Sequence, residues 1–217
     1  MKPPRSMLAL RSILLSRVKP FHDDKRLQGF ICEALARYRI ATFIETGTFR
    51  GDSLVWLASK FPHVKCVSTE VSRPYYAYAK FHALPRRNVT IFREDSRQFL
   101  LGMRKRVRDP VLFWLDAHGR SDWPLLGELK TIRELYKESL ALIDDFQVPG
   151  RPGFTFDTYN GRPLNLEYIR GQLDEGCEVW LPDYQPSHEM SGTCAVYIGM
   201  KGFSSPDFRR VSVRELG

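Results

Sequence analysis

The sequence predicts a doubly wound α/β fold, in which helices cover both faces of a mostly parallel sheet. Two observations lead to this prediction. Short apolar segments alternate along the chain with longer segments of helical periodicity, which is the pattern of a parallel sheet with crossover helices. Several segments, such as Val111–Leu115, are apolar without interruption, as strands buried on both faces are.

Length and composition fit one such domain. The chain has 217 residues, of which 43% are hydrophobic and 12% aromatic, enough for one buried core. The net charge of +8 is typical either of a protein with an anionic partner or of an ordinary basic enzyme. The four cysteines lack the spacing of a zinc site or a disulfide framework, so we expect small buried side chains in a reducing, cytoplasmic compartment. No apolar run is long enough for a transmembrane segment.

The elements are predicted in chain order, each from its own pattern. Residues 1–26 form a basic N-terminal segment, and 27–217 form the domain. An amphipathic helix at 6–18 either lies on an anionic membrane or packs on the domain or on a second subunit, as in a homodimer. In the domain, apolar runs predict strands and apolar residues three or four positions apart predict helices. The strands are expected at 41–45, 64–69, 89–92, 111–115, 141–143, 179–181 and 195–199, and the helices at 27–38, 53–61, 75–84, 96–106, 125–138 and 165–173.

A glycine loop follows the first predicted strand. Gly47 and Gly51 allow a tight turn and a close approach of the backbone to a ligand. Ser53 can cap the next helix and leave backbone donors facing that ligand. Glu45, at the strand end, is an acceptor for a cationic amine.

Polar residues also follow the second and third predicted strands. Glu70 lies about 20 residues beyond the glycine loop, where folds of this class bind ribose hydroxyls. Asp95 and Ser96 form a polar group suited to an adenine edge. Ligands of open α/β sheets bind at the carboxyl ends of the strands, so we expect these residues to share one crevice.

The residues from 45 to 53 resemble the first motif of class I S-adenosylmethionine-dependent methyltransferases, closest to the catechol O-methyltransferase-like group. That motif reads acid-x-Gly-x-aromatic-x-Gly-x-Ser, with Phe49 at the aromatic position. The resemblance implies a Rossmann-like methyltransferase fold with seven strands, the last antiparallel, and S-adenosylmethionine as cofactor. The cofactor-binding residues that it implies are Glu45, Gly47, Thr48, Phe49, Gly51, Ser53, Glu70, Asp95, Ser96 and Asp116.

Three carboxylates follow the fourth and fifth predicted strands. Asp116, Asp144 and Asp145 should converge, and such a group repels itself unless it is protonated or bridged by a cation. Oxygen ligands favour Mg²⁺ or Ca²⁺. The resemblance implies that these three aspartates bind a divalent ion, Mg²⁺ or another, which activates an acceptor hydroxyl. In the alternative, Asp116 contacts the methionine amine and the other two cap the next segment without a metal.

His118 is the candidate general base, with Asp116 as the second catalytic residue. Its unperturbed pKa lies near neutrality, and it follows the fourth strand beside an acid. In this feature the sequence also resembles macrolide-sugar O-methyltransferases, which have a histidine close to this position. His22, His63 and His82 are predicted to be surface residues.

Three functions stay open at this stage. The first is methyl transfer to a hydroxyl of a small molecule, such as a sugar, a polyketide or a phenol. The second is methylation of nucleic acid, which the charge suggests. The motif after the fourth strand, Asp-Ala-His-Gly, disfavours it, because base-amino methyltransferases usually carry Asn/Asp-Pro-Pro-aromatic there. The third is binding of S-adenosylmethionine without catalysis.

Overall fold

The computed structural model describes residues 19–117 and 123–212, and a single large sheet dominates them. Its eight strands have the order β12-β9-β11-β5-β4-β1-β2-β3. Short strands β6 Phe154–Thr155, β7 Thr158–Tyr159, β8 Arg162–Pro163 and β10 Met190–Ser191 lie outside it. The strands of the large sheet are β1 Thr42–Thr46, β2 Lys65–Thr69, β3 Val89–Phe92, β4 Val111–Leu115, β5 Ser139–Ile143, β9 Cys177–Pro182, β11 Cys194–Ile198 and β12 Phe208–Val211.

The helices alternate with these strands, as the sequence predicts. Helix α4, Ser96–Met103, continues into a 3-10 turn at Arg104–Arg106, and α6, Leu166–Ile169, continues into another at Arg170–Gln172. Helix α5, Leu125–Leu135, is three residues shorter than predicted, because the backbone becomes extended at Tyr136. The α-helices are α1 Lys25–Arg37, α2 Asp52–Lys60, α3 Arg73–Ala83, α4 Ser96–Met103, α5 Leu125–Leu135 and α6 Leu166–Ile169.

The first five strands are parallel, and their order reverses at β1. Strands β2 and β3 extend the sheet on one side of β1, whereas β4 and β5 extend it on the other. Right-handed crossovers then place helices on both faces. The doubly wound fold is confirmed, and the reversal puts a ligand crevice at the carboxyl ends of β1 and β4.

The other half of the sheet is antiparallel. Strand β11 pairs antiparallel with both β5 and β9, which confirms the predicted antiparallel strand. An eighth strand, β12, adds to β9 and extends the predicted seven-stranded sheet. Its sequence, Phe-Arg-Arg-Val, contains no apolar run. Arg209 and Arg210 are exposed, as side chains on a strand at the edge of a sheet can be. Pairing with β9, rather than local pattern, makes it a strand.

Residues 19–26, the described end of the predicted N-terminal segment, pack against the domain. Phe21 is buried, with its ring centroid 4.9 Å from that of Trp114 and 5.6 Å from that of Trp56. Asp24 caps α1 by accepting hydrogen bonds from the backbone of Arg26 and Leu27. The predicted amphipathic helix at 6–18 lies outside the described residues.

The cysteines form no disulfide among the described residues, in agreement with the prediction from their spacing. All four cysteines fall within the described residues and are free, and three of them are buried. In the described parts of the chain, no helix has both the length and the apolar character to cross a bilayer.

Candidate active site

The carboxyl ends of four parallel strands bring the predicted acids to one edge of the sheet. The backbone N–H of Asp116 donates to Thr46 O at 3.1 Å, which ties the end of β4 to that of β1. The backbone N–H of Asp144 donates to Leu115 O at 3.1 Å, which ties β5 to β4. Gly47 N–H donates to Thr69 at 3.1 Å and completes the row with β2. The strand-end acids therefore share one crevice.

The glycine loop crosses directly over β4. Gly47 is left-handed, with φ +79°, and a Cβ atom there would lie 2.1 Å from the backbone oxygen of Asp116. Only glycine allows this approach. Gly51 is also left-handed and is itself the N-cap of α2. The prediction that Ser53 caps this helix is therefore wrong, because the helix has already begun before Ser53. The Ser53 hydroxyl instead accepts a hydrogen bond from Phe21 N–H at 2.9 Å.

Glu45 lies beneath the glycine loop and is only 2% exposed. Ser68 Oγ donates to its carboxylate at 2.8 Å, and Thr48 Oγ1 lies 2.6 Å from Ser68 Oγ. Burial raises the pKa of Glu45 to about 8, against the lowering effect of the Ser68 hydrogen bond. A cationic group that approached this carboxylate would recover the ionised form.

Glu70 holds the glycine loop in place from β2. One carboxylate oxygen accepts from Phe49 N–H at 2.8 Å, and the other from Ser72 N–H at 2.8 Å. A carboxylate has about four acceptor positions, so two remain for a ligand. The ring of Phe49 is 48% exposed and packs edge-on against Tyr75, at 4.6 Å between centroids. Phe49 thus offers an open apolar surface near Glu70.

Asp95 and Ser96 begin α4 at the same end of the sheet. Asp95 caps the helix through a 3.0 Å hydrogen bond from Arg97 N–H, and its carboxylate also pairs with the Arg97 guanidinium at 2.9 Å. These hydrogen bonds lower the pKa of Asp95. Ser96 is buried. Asp95 therefore has a structural role that the sequence did not assign.

The acidic group after β4 and β5 is close enough to interact. Burial raises the pKa of Asp116, and the charges of Asp144, Asp145 and Glu45 raise it further. Asp144 is 1% exposed, and Asp145 is left-handed with φ +50°. The hydroxyl of Ser191, a residue that no sequence motif singled out, donates to Asp145. The crevice therefore concentrates negative charge at this point.

His22 belongs to this group, which corrects the prediction of a surface residue. Its Nε2 lies 2.7 Å from one carboxylate oxygen of Asp144, across 122 positions of sequence. Burial lowers the pKa of His22, but the charge and hydrogen bond of Asp144, with smaller effects of Asp145 and Asp24, raise it to about 9. No local pattern marks His22, because a left-handed turn brings it to the crevice.

The remaining described histidines and the aromatic residues of the loop after β5 differ in their surroundings. His118, the predicted base, lies outside the described residues. His63 is exposed as predicted, and His82 is partly buried against Arg50. From the loop after Gly150, Tyr159 stacks on Trp123 at 5.0 Å between centroids, while Phe156 is exposed.

No family model matches the chain, and no curated protein matches it in sequence. Solved structures do match its fold. An O-methyltransferase from Bacillus cereus in complex with S-adenosylhomocysteine has a TM-score of 0.61 and 16% identity, covering 91% of this chain and 93% of that chain. TomG, an O-methyltransferase from Streptomyces achromogenes involved in tomaymycin synthesis and solved with S-adenosylmethionine, has a TM-score of 0.61 and 16% identity, covering 91% of both chains.

A third match has different acceptor chemistry. Precorrin-6y C5,15-methyltransferase from Geobacter metallireducens has a TM-score of 0.50 and 12% identity, covering 80% of this chain and 89% of that chain. At these identities the likeness is one of fold. The chain therefore has the Rossmann-like methyltransferase fold, which the glycine loop and the strand-end acids predict.

Proposed function

We propose that this chain is an S-adenosylmethionine-dependent O-methyltransferase that transfers a methyl group to a hydroxyl of a small molecule, assisted by a divalent cation. One observation carries the proposal: the glycine loop and the acids that end β1, β2, β4 and β5 meet at one sheet edge. The fold neighbours solved with S-adenosylhomocysteine or S-adenosylmethionine support it.

The cofactor roles follow from the position of each side chain. We assign Glu70 to the ribose, because its carboxylate keeps free acceptor positions beside the exposed ring of Phe49. Gly47 and Glu45 are assigned to the methionine end, next to Asp116. Asp95 and Ser96, at the start of α4, are assigned to the adenine side. Thr48, Gly51 and Ser53 fix the loop and the start of α2.

The residues after β4 and β5 fit a divalent cation. Ligand atoms of Asp144, Asp145 and His22 lie within 4.8 Å of one another, and the Asp116 carboxyl is close enough to interact with both aspartates. Carboxylate oxygens are the ligands that Mg²⁺ prefers, as predicted for this site. A bound ion supplies Lewis acidity, which lowers the pKa of an acceptor hydroxyl.

The remaining chemistry belongs to the chain's own residues. Their main task is to hold the acceptor oxygen in line with the methyl group, which removes an entropic barrier. The backbone of Asp116 adjoins Gly47 and its carboxyl interacts with those of Asp144 and Asp145, so it would orient both the methionine end of the cofactor and the ion. Phe156 and Tyr159, in the loop after β5, offer apolar surface for a sugar, polyketide or phenol ring. His118 stays the predicted base.

Methylation of nucleic acid is a weaker alternative. Part of the basic run at 104–108, which could otherwise bind phosphates, makes contacts within the protein. Arg104 pairs with Asp109 at 3.2 Å, and Arg106 lies over the ring of Phe92 at 5.6 Å. These residues therefore stabilise the fold as well as contributing charge. Steep salt-dependent binding of oligonucleotides would favour the alternative.

The test is transfer of radiolabelled methyl groups from S-adenosylmethionine to a panel of sugar, polyketide and phenol acceptors. We expect labelled product with wild-type protein and a divalent cation, supplied as Mg²⁺ or Mn²⁺, and a loss of about 100-fold or more when Asp144→Asn removes a ligand charge. Glu33→Gln, an exposed acid-to-amide change on α1, is the matched control and should leave the rate unchanged. Labelled oligonucleotide, or cofactor binding without transfer to any acceptor, would contradict the proposal.

A further inference from the structure

The imidazole of His22 faces the carboxylate of Asp144 almost symmetrically. Nε2 lies 2.8 Å from Oδ1 and 2.7 Å from Oδ2. With Asp145, these residues form a compact group of metal-ligand atoms, all within 4.8 Å of one another. Among the described residues, it is the one group in which three or more possible metal-ligating residues come this close together. Asp116 is not a member of it, so His22 takes the third position that the sequence assigned to an aspartate.

Hydrogen bonds fix the two residues that precede His22. Phe21 is buried, and its N–H donates to Ser53 Oγ at 2.9 Å. Gln28 Nε2 donates to the backbone oxygen of Pro20 at 2.9 Å. The side chain of His22 is 34% exposed, so it is still accessible to an ion from solvent. The imidazole is therefore fixed against the carboxylates before any ligand arrives.

The three residues come from distant parts of the chain and still present their donor atoms at one point. His22 and Asp144 are 122 positions apart in sequence, yet His22 Nε2 lies 2.7 Å from Asp144 Oδ2. A divalent cation carries two charges and can accept donor atoms from several residues at once. Asp145 N–H also donates to Asp144 Oδ1 at 2.8 Å, the kind of outer contact that orients a metal ligand.

We propose that His22 is a ligand of the divalent cation, together with Asp144 and Asp145, and that it makes the site select a first-row transition ion over Mg²⁺. This proposal rests on the proposed function, which supplies the reason to expect an ion. It differs in making His22, rather than Asp116, the third ligand, and in favouring a transition ion over Mg²⁺. Imidazole nitrogen suits first-row transition ions, whereas all-oxygen sites suit Mg²⁺. A histidine with two aspartates therefore favours a first-row transition ion over Mg²⁺, and Mn²⁺, the weakest binder of that series, is the most stringent probe of this preference.

The test uses Mn²⁺ as the probe on the full chain after treatment with EDTA. Mn²⁺ binding is followed by the electron paramagnetic resonance signal of the free ion, with Mg²⁺ as competitor. Pulsed measurements on the bound ion detect coupling to a directly bound ¹⁴N. We expect that coupling in the wild type, weak competition by Mg²⁺, and a loss of Mn²⁺ affinity of at least about tenfold in His22→Gln. Gln keeps an amide donor toward Asp144, so the turn can fold.

Two controls separate this proposal from the proposed function. His63→Ala removes an exposed histidine and should change neither the affinity nor the coupling. S-adenosylhomocysteine binding is measured on every variant, because it reports the cofactor site independently of the metal. Equal Mn²⁺ affinity in wild type and His22→Gln, absence of ¹⁴N coupling, or Mg²⁺ competing as well as Mn²⁺ would each overturn the assignment. Cofactor binding would then still support the methyltransferase.

Discussion

Glu45 carries an ionisable group into a strand that is buried along its whole length. Burial holds the pKa of the folded carboxyl at about 8, while the ordinary value is 4.5. Between these two pH values the folded protein binds a proton that the unfolded chain has released. Stability from this group is therefore full below about pH 4.5 and is lost as pH rises toward 8, by up to about 1.4 kcal/mol per pH unit.

Glu45→Gln should remove that pH dependence. The amide keeps an acceptor oxygen for Ser68 but has no charge to bury. We expect the variant to be more stable than wild type at pH 8, by about 3 to 5 kcal/mol, and to bind S-adenosylmethionine more weakly. Chemical denaturation at several pH values measures the first effect. Parallel stability curves for the two proteins between pH 5 and 8 would contradict it.

Single residues differ in how far sequence alone could place them. Glu45, Glu70, Asp116 and Asp144 are recognisable because each follows a clear apolar strand, and parallel strands end at the same edge. His22 is not recognisable, because its contact with Asp144 depends on three consecutive left-handed residues. Such residues cost on the order of 1 to 3 kcal/mol each and persist only where packing fixes them. That packing is long-range, so local pattern cannot reveal it.

The loop between β1 and α2 depends on how closely it approaches the end of β4. Gly47 and Gly150 have nearly the same left-handed backbone, with φ +79° and +74°. They differ in their surroundings. A Cβ at Gly47 would lie 2.1 Å from the backbone of Asp116, whereas nothing lies within 4 Å of one at Gly150.

Substitution by alanine at the two positions therefore separates backbone strain from contact. We expect Gly150→Ala to cost about 1 to 2 kcal/mol, which is the left-handed penalty alone. Gly47→Ala should cost a further 1 to 3 kcal/mol, because the loop must move off β4, and should also abolish cofactor binding. Thermal denaturation and calorimetry measure both effects. Equal destabilisation by the two substitutions would show that the close approach is unimportant.

The elements themselves were predictable where pattern and burial agree. Strand β3 matches its prediction at both ends, because it is a short apolar run between polar residues. Strand β12 was not predicted, because its arginines suit an exposed edge and hide the strand pattern. Helix ends shifted by a few residues, as at Leu135, where tertiary contacts of Tyr136 end α5.

At the scale of the whole molecule, function follows from sheet topology. The strand order reverses at β1, and the buried Glu45, Glu70 and Asp144 follow or end strands on either side of that point. The fold was accessible from sequence because alternation of strands and helices determines this topology almost alone. The acceptor of the proposed methyl transfer was not accessible from sequence, because it depends on loops whose geometry no periodicity encodes.

The central claim is that this crevice binds S-adenosylmethionine through Glu70 and its neighbours. Calorimetric titration with S-adenosylhomocysteine tests it most directly, on wild type, Glu70→Gln and the surface control Glu33→Gln. We expect one bound molecule per chain and a loss of about 10- to 100-fold in affinity for Glu70→Gln, because hydrogen bonds to a charged group are worth about 1.5 to 3 kcal/mol. The control should bind as wild type does. No binding to the wild type, or equal binding by Glu70→Gln, would contradict the claim.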